Sequence, residues 1–202
     1  MSADDEFFTI QSEIQAEIKV KGSRFIGTAA PAPNCEQAGQ FIKRLSKQYY
    51  NATHNCYAVR IKSANQIISR SSDAGEPSGT AGPPILNVII GRNLVNLAVV
   101  VTRYFGGTKL GKGGLIRAYG ECTKAVLDLC TIVKKYNLVY STFFFPYNLT
   151  GNVMHLISQF NGKIVASVYE TQVKLTVKIP QSLVNDFKNK LIEITSGKVY
   201  FK

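Results

Sequence analysis

Two polar segments of the sequence contain the side chains best suited to bind a charged ligand or to carry out chemistry. Residues 72–84 are rich in Ser, Gly and Pro and include two carboxylates. Residues 103–119 combine four basic side chains with five glycines and lead into a predicted helix. Glycines allow backbone N–H groups to approach a ligand closely, and the unpaired N–H groups of a helix N-terminus attract an anion. We therefore predict an anion-binding site in residues 103–119.

The residues predicted to bind RNA or another anion all lie in this second segment. Arg103 and Lys112 would hold phosphates, backbone amides at Gly113 and Gly114 would donate to one phosphate, and Tyr104 or Phe105 would stack on an unpaired base. The full set is Arg103, Tyr104, Phe105, Gly106, Gly107, Lys109, Lys112, Gly113, Gly114 and Arg117. The alternative is that the glycines only permit tight turns and that one aromatic ring lies in the core.

The glycine spacing matches neither of two common nucleotide-binding motifs. The segment lacks the G-x-x-x-x-G-K-[ST] pattern of a P-loop. It also lacks the glycine spacing, and the acidic residue about twenty positions later, that a dinucleotide-binding βαβ unit requires. No cofactor is predicted.

The catalytic candidates are His54, Asp73 and Glu76, since the two acids are the only carboxylates in the strongly basic segment 60–119. Such carboxylates could bind Mg²⁺ near a phosphate or act as a general acid and base. In the alternative interpretation, which the sequence favours, Asp73 caps a turn and Glu76 pairs with Arg70 or Arg103. No Ser-His-Asp arrangement can be recognised, because His155 lies in a helical pattern much later in the chain.

His54 and Cys56 are the only His and Cys side chains that lie close together in the sequence. On a strand their spacing places both on one face, where zinc binding or nucleophilic chemistry is geometrically possible. Two ligands without a third do not make a metal site, so no metal is predicted. The four cysteines form no C-x-x-C pair, which favours reduced thiols, with Cys122 and Cys130 in the core of a helix.

The positive charge of the chain is concentrated rather than uniform. Lys and Arg number 24 against 13 Asp and Glu, which gives a net charge of +11 and a sequence pI of about 9.5. Residues 60–119 alone carry a net +6, and residues 139–202 a net +4. This excess favours a polyanion such as RNA, or a phosphorylated small molecule, as partner. The alternative is a dispersed, solvated basic surface.

Composition excludes several classes of protein. A hydrophobic content of 45% with 18% charged residues is not that of a disordered or collagen-like chain. The longest aliphatic run, residues 97–101, is far shorter than the roughly 20 residues that span a membrane. The N-terminal segment contains acidic residues, which are not typical of a signal or transit peptide. We expect a cytoplasmic protein with no membrane partner.

A set of helices and strands would position the two segments. The sequence predicts a hairpin, a helix that Asn34 caps, a strand pair, a short helix with Pro84 in its first turn, a strand that is apolar on both faces, and a long helix from Leu115 to Lys134 or Lys135. In order, these elements span residues 14–20 with 24–30, 34–49, 54–62 with 66–69, 84–90, 94–102 and 115–135. The two polar segments flank the apolar strand.

Residues 138–202 have the pattern of a second unit. Strands at 138–145, 163–168, 173–179 and 198–201 alternate with helices at 150–160 and 180–194. The order β-α-β-β-α-β is that of ferredoxin-like domains. We therefore predict an α+β protein with domains at residues 1–136 and 137–202, and a boundary within 135–138.

Two motifs carry a family resemblance. S-D-A-G-E-P-S-G-T-A-G-P-P-I (residues 72–85) and V-T-R-Y-F-G-G-T-K-L-G-K-G-G-L-I-R-A-Y (residues 101–119) closely resemble the signature of the YigZ/IMPACT family. Residues 24–26 and 54–58 also resemble that family, so the resemblance covers the whole first unit. The second unit resembles the C-terminal domain of the bacterial members. We expect the short bacterial form, which lacks the N-terminal, partner-binding domain of eukaryotic IMPACT.

This resemblance implies a fold and a field of function. The first domain would be an α/β sandwich like the second domain of a small-subunit ribosomal protein and domain IV of elongation factor G. The second domain would be similar to domain V of that factor. Eukaryotic IMPACT regulates translation by competing with an amino-acid-sensing kinase for its activator. Some relatives are described as proline dipeptidases, but the sequence shows no metal-ligand set for such an enzyme.

Three functions are consistent with the sequence. The leading hypothesis is a translation-linked regulatory protein that binds RNA or the ribosome through the glycine-rich segment, without being an enzyme. The second is an enzyme that acts on a phosphorylated or anionic small molecule at the same segment, and the third is a module that binds a regulatory protein. A closed pocket that brings an acid to the glycine-rich segment would favour the enzyme. An open basic face would favour RNA.

Overall fold

The computed structural model describes residues 5–63 and 66–202 and divides the chain into two compact units. The larger unit comprises Phe8–Lys134. The smaller unit comprises the residues from Lys135 to Lys202 together with residues 5–7. Within the described residues, no helix has the length and apolar character needed to cross a membrane.

The elements follow one another in the order that the sequence pattern predicts, with two additional strands. The strands are β1 (Glu6–Ile10), β2 (Ile14–Val20), β3 (Ser23–Pro31), β4 (His54–Ser63), β5 (Gln66–Ser72), β6 (Leu97–Tyr104), β7 (Ile132–Tyr136), β8 (Leu138–Phe145), β9 (Lys163–Tyr169), β10 (Val173–Pro180) and β11 (Tyr200–Phe201). The helices are α1 (Cys35–Gln48), α2 (Gly82–Gly91), α3 (Gly111–Asp128), α4 (Thr150–Gln159) and α5 (Val184–Ile194).

The larger unit is built on a five-stranded antiparallel sheet in the order β2-β3-β6-β4-β5. One face packs against α1 through Phe41 and Leu45. The other packs against α2 and α3 through side chains such as Ile85 and Tyr119. The central strand β6 is therefore covered on both sides, which explains why its sequence is apolar without alternation.

The helices of this unit begin where local chemistry and packing allow. Asn34 caps α1, since its side-chain oxygen accepts a hydrogen bond from the Gln37 N–H at 2.8 Å, as the sequence predicts. The start of α3 was predicted at Leu115, but the helix begins one turn earlier, at Gly111. Glycine is a poor helix former, so the intrinsic preference of this turn gives no sign of a helix.

The predicted end of α3 at Lys134 or Lys135 is wrong. The helix ends at Asp128, and Ile132–Tyr136 forms β7, which pairs with β1 in a two-stranded sheet. Neither β1 nor β7 was predicted, because a partner more than one hundred residues away in the sequence leaves no local periodicity. The β-branched Ile132 and Val133 fit a strand at least as well as a helix.

The smaller unit has the predicted β-α-β-β-α-β order. Its antiparallel sheet has the order β11-β8-β10-β9, and α4 and α5 pack against one face. The alternating residues of β10, such as Val173 and Leu175, are fully buried in this core together with Phe143 and Phe187. Both units thus have separate cores, in agreement with the predicted α+β, two-domain architecture.

Candidate anion-binding cavity

The two polar segments meet at a cavity of about 370 Å³ in the larger unit. The first segment contributes Glu76 and Pro77, and His54 stands at the start of β4. The second segment contributes residues from the end of β6 to the first two turns of α3. The residues that line the cavity are Thr53, His54, Glu76, Pro77, Arg103, Phe105, Lys109, Leu110, Gly111, Lys112 and Leu115. The cavity therefore brings an acid, a histidine and three basic side chains together.

Glu76 is paired inside the protein. Its Oε1 accepts hydrogen bonds from Arg103 Nη1 at 2.6 Å and from the Tyr119 hydroxyl at 2.8 Å. The Glu76 and Arg103 side chains are only 3% and 7% exposed. This is the Glu76–Arg103 pair that the favoured alternative interpretation of the sequence includes. Because the pair is buried, each charge depends on the other, and loss of either partner would leave the remaining charge unpaired in the interior.

Arg103 is not placed as the sequence predicts for a phosphate-binding residue. Its guanidinium lies over the rings of both Phe25 and Phe105, 5.5 Å from each ring centre, and donates a long hydrogen bond of 3.4 Å to Ser23 Oγ. Its buried Nε has no hydrogen-bond partner among the described residues. The structure therefore uses Arg103 mainly to hold Glu76 and to support the half-exposed ring of Phe105.

Asp73 holds the first segment in a turn. Its two carboxylate oxygens accept hydrogen bonds from the N–H groups of Gly79, Ala81 and Gly82, each at 2.9 Å. Burial alone would raise the pKa of Asp73, but these backbone donors outweigh it and lower the pKa below its ordinary value. With all three donors directed at it, Asp73 acts as a turn cap, and it does not line the cavity.

His54 lies at the cavity wall with one ring nitrogen occupied. Its Nδ1 is 2.9 Å from the carbonyl oxygen of Ala74, which can only accept, so the Nδ1–H donates. Its Nε2 lies 3.9 Å from Glu76 Oε2. In the neutral imidazole, Nε2 therefore carries the lone pair and can accept a proton.

Cys56 shares a strand face with His54 but has a different environment. Its Sγ donates to the carbonyl oxygen of Asp73 at 2.9 Å and lies 3.3 Å from the Tyr119 hydroxyl. Burial raises the pKa of the Cys56 thiol to about 12, so it is protonated at neutral pH and is not a nucleophile. Burial and the neighbouring Cys56 and Glu76 also raise the pKa of Tyr119, which keeps its hydroxyl a donor.

Gly106 has a structural reason for being glycine. A Cβ atom at this position would lie 1.9 Å from the carbonyl carbon of Gly22, in the turn between β2 and β3. The Gly106 N–H donates to Ser23 Oγ at 3.2 Å, so it is not directed at a ligand. Gly107 has φ +86 and open space around it, as expected for a tight turn.

Lys109 and Lys112 are the exposed basic residues of the cavity. Lys112 lies in the first turn of α3, together with Gly113 and Gly114. The N-cap residue Leu110 has no side-chain acceptor to cap this helix, and the first N–H groups of a helix have no partner within it. The lysines and the positive end of the helix dipole therefore make this edge of the cavity the part best suited to an anion.

Tyr104 and Arg117 lie elsewhere. The Tyr104 hydroxyl donates to Asn51 Oδ1 at 2.9 Å, and its ring faces Arg24, with 5.8 Å between the guanidinium and the ring centre. Arg117 is exposed on α3, where it lines a shallow surface depression with Glu121 and Lys124. Of the residues predicted to bind an anion, Arg103, Phe105, Lys109 and Lys112 are brought together at the cavity.

Three hydrogen-bonding residues around the cavity were not predicted as site residues, and neither were the lining residues Pro77, Leu110, Gly111 and Leu115. Tyr119 follows the apolar stripe of α3 and reads as core, while Ser23 and Thr53 stand at chain turns with no charge to mark them. Thr53 Oγ1 accepts from the Phe105 N–H at 3.0 Å and so helps to hold that ring at the cavity. The hydroxyl of a buried tyrosine usually forms a hydrogen bond. A tyrosine in the apolar stripe of α3 could therefore have been expected to bond a polar residue of the site.

Metal ligands are not gathered at this cavity. Within residues 5–63 and 66–202, no three His, Cys, Asp or Glu side chains come together as a metal ion would require. The free thiols Cys35, Cys56, Cys122 and Cys130 are dispersed over the larger unit.

Comparison with known proteins extends over both units. Residues 21–127 match the model described as the Impact N-terminal domain, and residues 143–198 match a domain of unknown function, DUF1949. A crystal structure described as that of a hypothetical protein has a TM-score of 0.68 to this chain at 30% sequence identity. That alignment covers 98% of this chain and 96% of the other.

Two bacterial relatives are similar over most of their length. The IMPACT family member YvyE of Bacillus subtilis is 35% identical over 192 residues, which cover 95% of this chain and 88% of the relative. The IMPACT family member YigZ of Escherichia coli is 34% identical over 183 residues, which cover 90% of this chain and 89% of the relative. Since the matches include the motifs of both polar segments and continue through the second unit, the chain belongs to the IMPACT family.

Proposed function

We propose that this protein is a cytoplasmic, translation-linked regulatory protein that binds RNA or the ribosome through its basic, glycine-rich segment. The observation that carries this proposal is the placement of Lys109 and Lys112, both exposed, beside the half-exposed ring of Phe105 at one cavity. Phosphates attract the lysines, and an unpaired base can stack on the ring.

Local electrostatics support an anionic ligand over a cationic one. Among the described residues that line the cavity, Glu76 is the one carboxylate, and its Oε1 is paired with Arg103 at 2.6 Å. The charges that remain for a ligand are those of Lys109 and Lys112, to which the first turn of α3 adds its positive end. A phosphate at this edge would satisfy both lysines and the uncapped N–H groups.

Family membership supports the link to translation. The sequence motifs in residues 72–85 and 101–119 resemble those of eukaryotic IMPACT, which regulates translation. A regulatory role through a protein partner is compatible with the same membership. Such a partner would be identified by its own binding experiment.

The test is binding of the purified protein to ribosomes and to short RNAs over a series of salt concentrations. Saturable binding whose log affinity falls linearly with log salt is expected. In the variant Lys109→Glu/Lys112→Glu, affinity for a single-stranded RNA should fall at least about tenfold, and the magnitude of the salt slope should decrease by about 1.4.

The matched control is Lys43→Glu/Lys47→Glu, which makes the same change in net charge at exposed positions of α1. Its effect on affinity should be within about threefold of the unmodified protein, since non-specific charge is all that it removes. Equal losses in the two variants, or no binding at low salt, would contradict the proposed placement.

A second candidate function is an enzyme that acts on a phosphorylated or other anionic small molecule in the same cavity. The observation that favours it is the pair of His54 and Glu76, with Nε2 and Oε2 3.9 Å apart. His54 Nε2 can accept a proton, and it faces Glu76 Oε2, whereas Arg103 pairs with the other oxygen, Oε1. A volume of about 370 Å³ also lies within the usual range of small-molecule pockets.

This candidate is tested by thermal stabilisation with a set of phosphorylated metabolites. A metabolite that raises the melting temperature should then be turned over by the unmodified protein and bound, but not turned over, by His54→Asn. If none of the compounds stabilises the protein at millimolar concentration, the enzyme hypothesis is wrong, whatever the outcome with RNA.

A further inference from the structure

The sheet of the smaller unit has one face that α4 and α5 do not cover. The helices pack on the face that contains Phe143 and Phe145. Side chains on the opposite face are exposed, including Tyr140 at 62% and Tyr200 at 50%. Large aromatic rings are costly to leave in water, so this face calls for a functional explanation.

Strand register places these rings and three lysines on the same face. Residues directly opposite each other in antiparallel strands point to the same side of a sheet. One row is Tyr200, Phe144, Lys174 and Val168 across the four strands; a second row, across three of the strands, is Tyr140, Lys178 and Lys163. Between them lie the small residues Thr142, Thr176 and Ala166.

Two of the three lysines of this face contact its aromatic rings. Lys178 Nζ lies 4.8 Å from the ring centre of Tyr140, and Lys174 Nζ lies 5.6 Å from that of Phe144. Phe144 and Tyr200 are stacked, with ring centres 4.9 Å apart and an angle of 9° between their planes. Each of these two ammonium groups therefore lies over the face of an aromatic ring, near the position of a ligand stacked on that ring.

The charge of the face has one sign. The four strands of this sheet contain Lys163, Lys174 and Lys178 and no Asp or Glu. A ligand that covers the face therefore meets only positive side chains among its charged neighbours on the strands. This complementarity selects a polyanion.

We propose that the open face of this sheet, formed by Tyr140, Phe144, Tyr200, Lys163, Lys174 and Lys178, binds single-stranded RNA. Bases would stack on the exposed rings, and the lysines would move from the ring faces to the phosphates. The small residues of the middle row let a strand of RNA lie flat against the sheet. This surface is separate from the cavity of the larger unit and does not rest on the function proposed for that cavity.

The chemistry of the face favours single-stranded RNA over two other polyanions. In a duplex the flat faces of the bases are stacked on each other, so exposed rings have nothing to stack on. An acidic peptide would use the lysines but would leave the aromatic rings without a partner of matching shape. Single-stranded RNA uses both kinds of side chain at once.

One tryptophan substitution and one double alanine substitution, both in the full-length chain, test the proposal. The protein contains no tryptophan, so Tyr140→Trp creates one emission centre on the face. Titration with unlabelled oligouridylate should quench the tryptophan fluorescence until binding is saturated, because a base stacks on the indole ring. In a separate measurement by filter binding, Tyr140→Ala/Tyr200→Ala should weaken oligouridylate binding at least about tenfold.

Tyr50→Ala is the matched control, since Tyr50 is 83% exposed on the larger unit. It should leave the affinity unchanged within about twofold. Lys174→Gln/Lys178→Gln should reduce the magnitude of the salt slope by about 1.4 while both rings remain. Because Tyr200 also stacks on Phe144 within the short strand β11, a circular dichroism spectrum and a melting temperature of each variant establish that it remains folded.

The outcomes separate this surface from the cavity. If Tyr140→Ala/Tyr200→Ala leaves oligouridylate affinity unchanged while Lys109→Glu/Lys112→Glu reduces it, the proposal for the sheet is wrong and that for the cavity stands. The opposite pattern supports the sheet and contradicts the cavity. Quenching of the Tyr140→Trp emission by polyglutamate with the affinity seen for RNA would overturn the proposal, because charge alone would then account for binding.

Discussion

Arg103 and Lys109 carry the same charge and line the same cavity, yet their surroundings give them different capacities. Arg103 is buried against Glu76, so binding a phosphate would require it to leave a partner 2.6 Å away. Lys109 is exposed and can approach a phosphate without losing a buried contact. The sequence shows which side chains are charged, but only the folded structure shows which of them form ion pairs.

The buried pair of Glu76 and Arg103 should be important for stability. Glu76→Gln leaves the Arg103 guanidinium in the interior without a counter-charge, so the free energy of unfolding should fall by about 3–5 kcal/mol. Urea unfolding measures this loss. The control Glu121→Gln, at an exposed position of α3, should change it by no more than about 0.5 kcal/mol. Similar values for the two variants would show that the pair contributes little.

Asp73 should make stability depend on acid pH. Its pKa is lower in the folded protein than in the unfolded chain, so the ionised form stabilises the fold. This contribution is present above the unfolded pKa, near 4, and is lost as pH falls through the lower folded pKa. Asp73→Asn should reduce the free energy of unfolding by roughly 1–2 kcal/mol at pH 7.

Urea unfolding at a series of pH values from neutral to acidic measures this effect. The difference between the unmodified protein and Asp73→Asn should shrink as the pH falls below about 4. A difference that stays constant over the whole series would show that the substitution acts through shape rather than through charge.

At the scale of elements, the sequence predicts those whose signals are local. The cap at Asn34, the apolar strand β6 and the β-α-β-β-α-β pattern after Lys135 are all recovered, because caps and periodicity depend on neighbouring residues. The start of α3 and the strands β1 and β7 are not, because packing and a distant partner decide them. The same division applies to the site. Its charged members were named from type and spacing, whereas Tyr119 was hidden in a core stripe.

Two glycines of the second segment should respond oppositely to alanine. In Gly106→Ala, the new methyl group would meet the backbone of Gly22 at 1.9 Å, so the free energy of unfolding should fall by at least about 3 kcal/mol. In Gly113→Ala, the methyl group meets nothing within 4 Å and lies in α3, so stability should rise by roughly 0.5–1 kcal/mol. Chemical denaturation of both variants provides the measurement. Equal effects would contradict the close approach at Gly106.

At the scale of the whole molecule, basic charge is present in both units, each of which has its own core. A net charge of +11 attracts any polyanion to some extent, so weak binding at low salt is not evidence for a specific site. Two separate sites on one RNA would raise the overall affinity through effective concentration, without any new contact. Two sequence motifs were enough to predict the family. The sequence did not predict which charged side chains are paired and which are exposed.

The anchoring of residues 73–82 has a consequence for how a ligand would be received. Asp73 ties three amides of this segment together, Glu76 fastens it to β6 and α3, and the Thr80 hydroxyl donates to the Pro77 carbonyl at 2.6 Å. This wall of the cavity is therefore preorganised before a ligand binds. Little conformational entropy is left to lose on this side, so association does not require a loop to close. The exposed Lys109 and Lys112 on the other side then provide the contacts that distinguish one ligand from another.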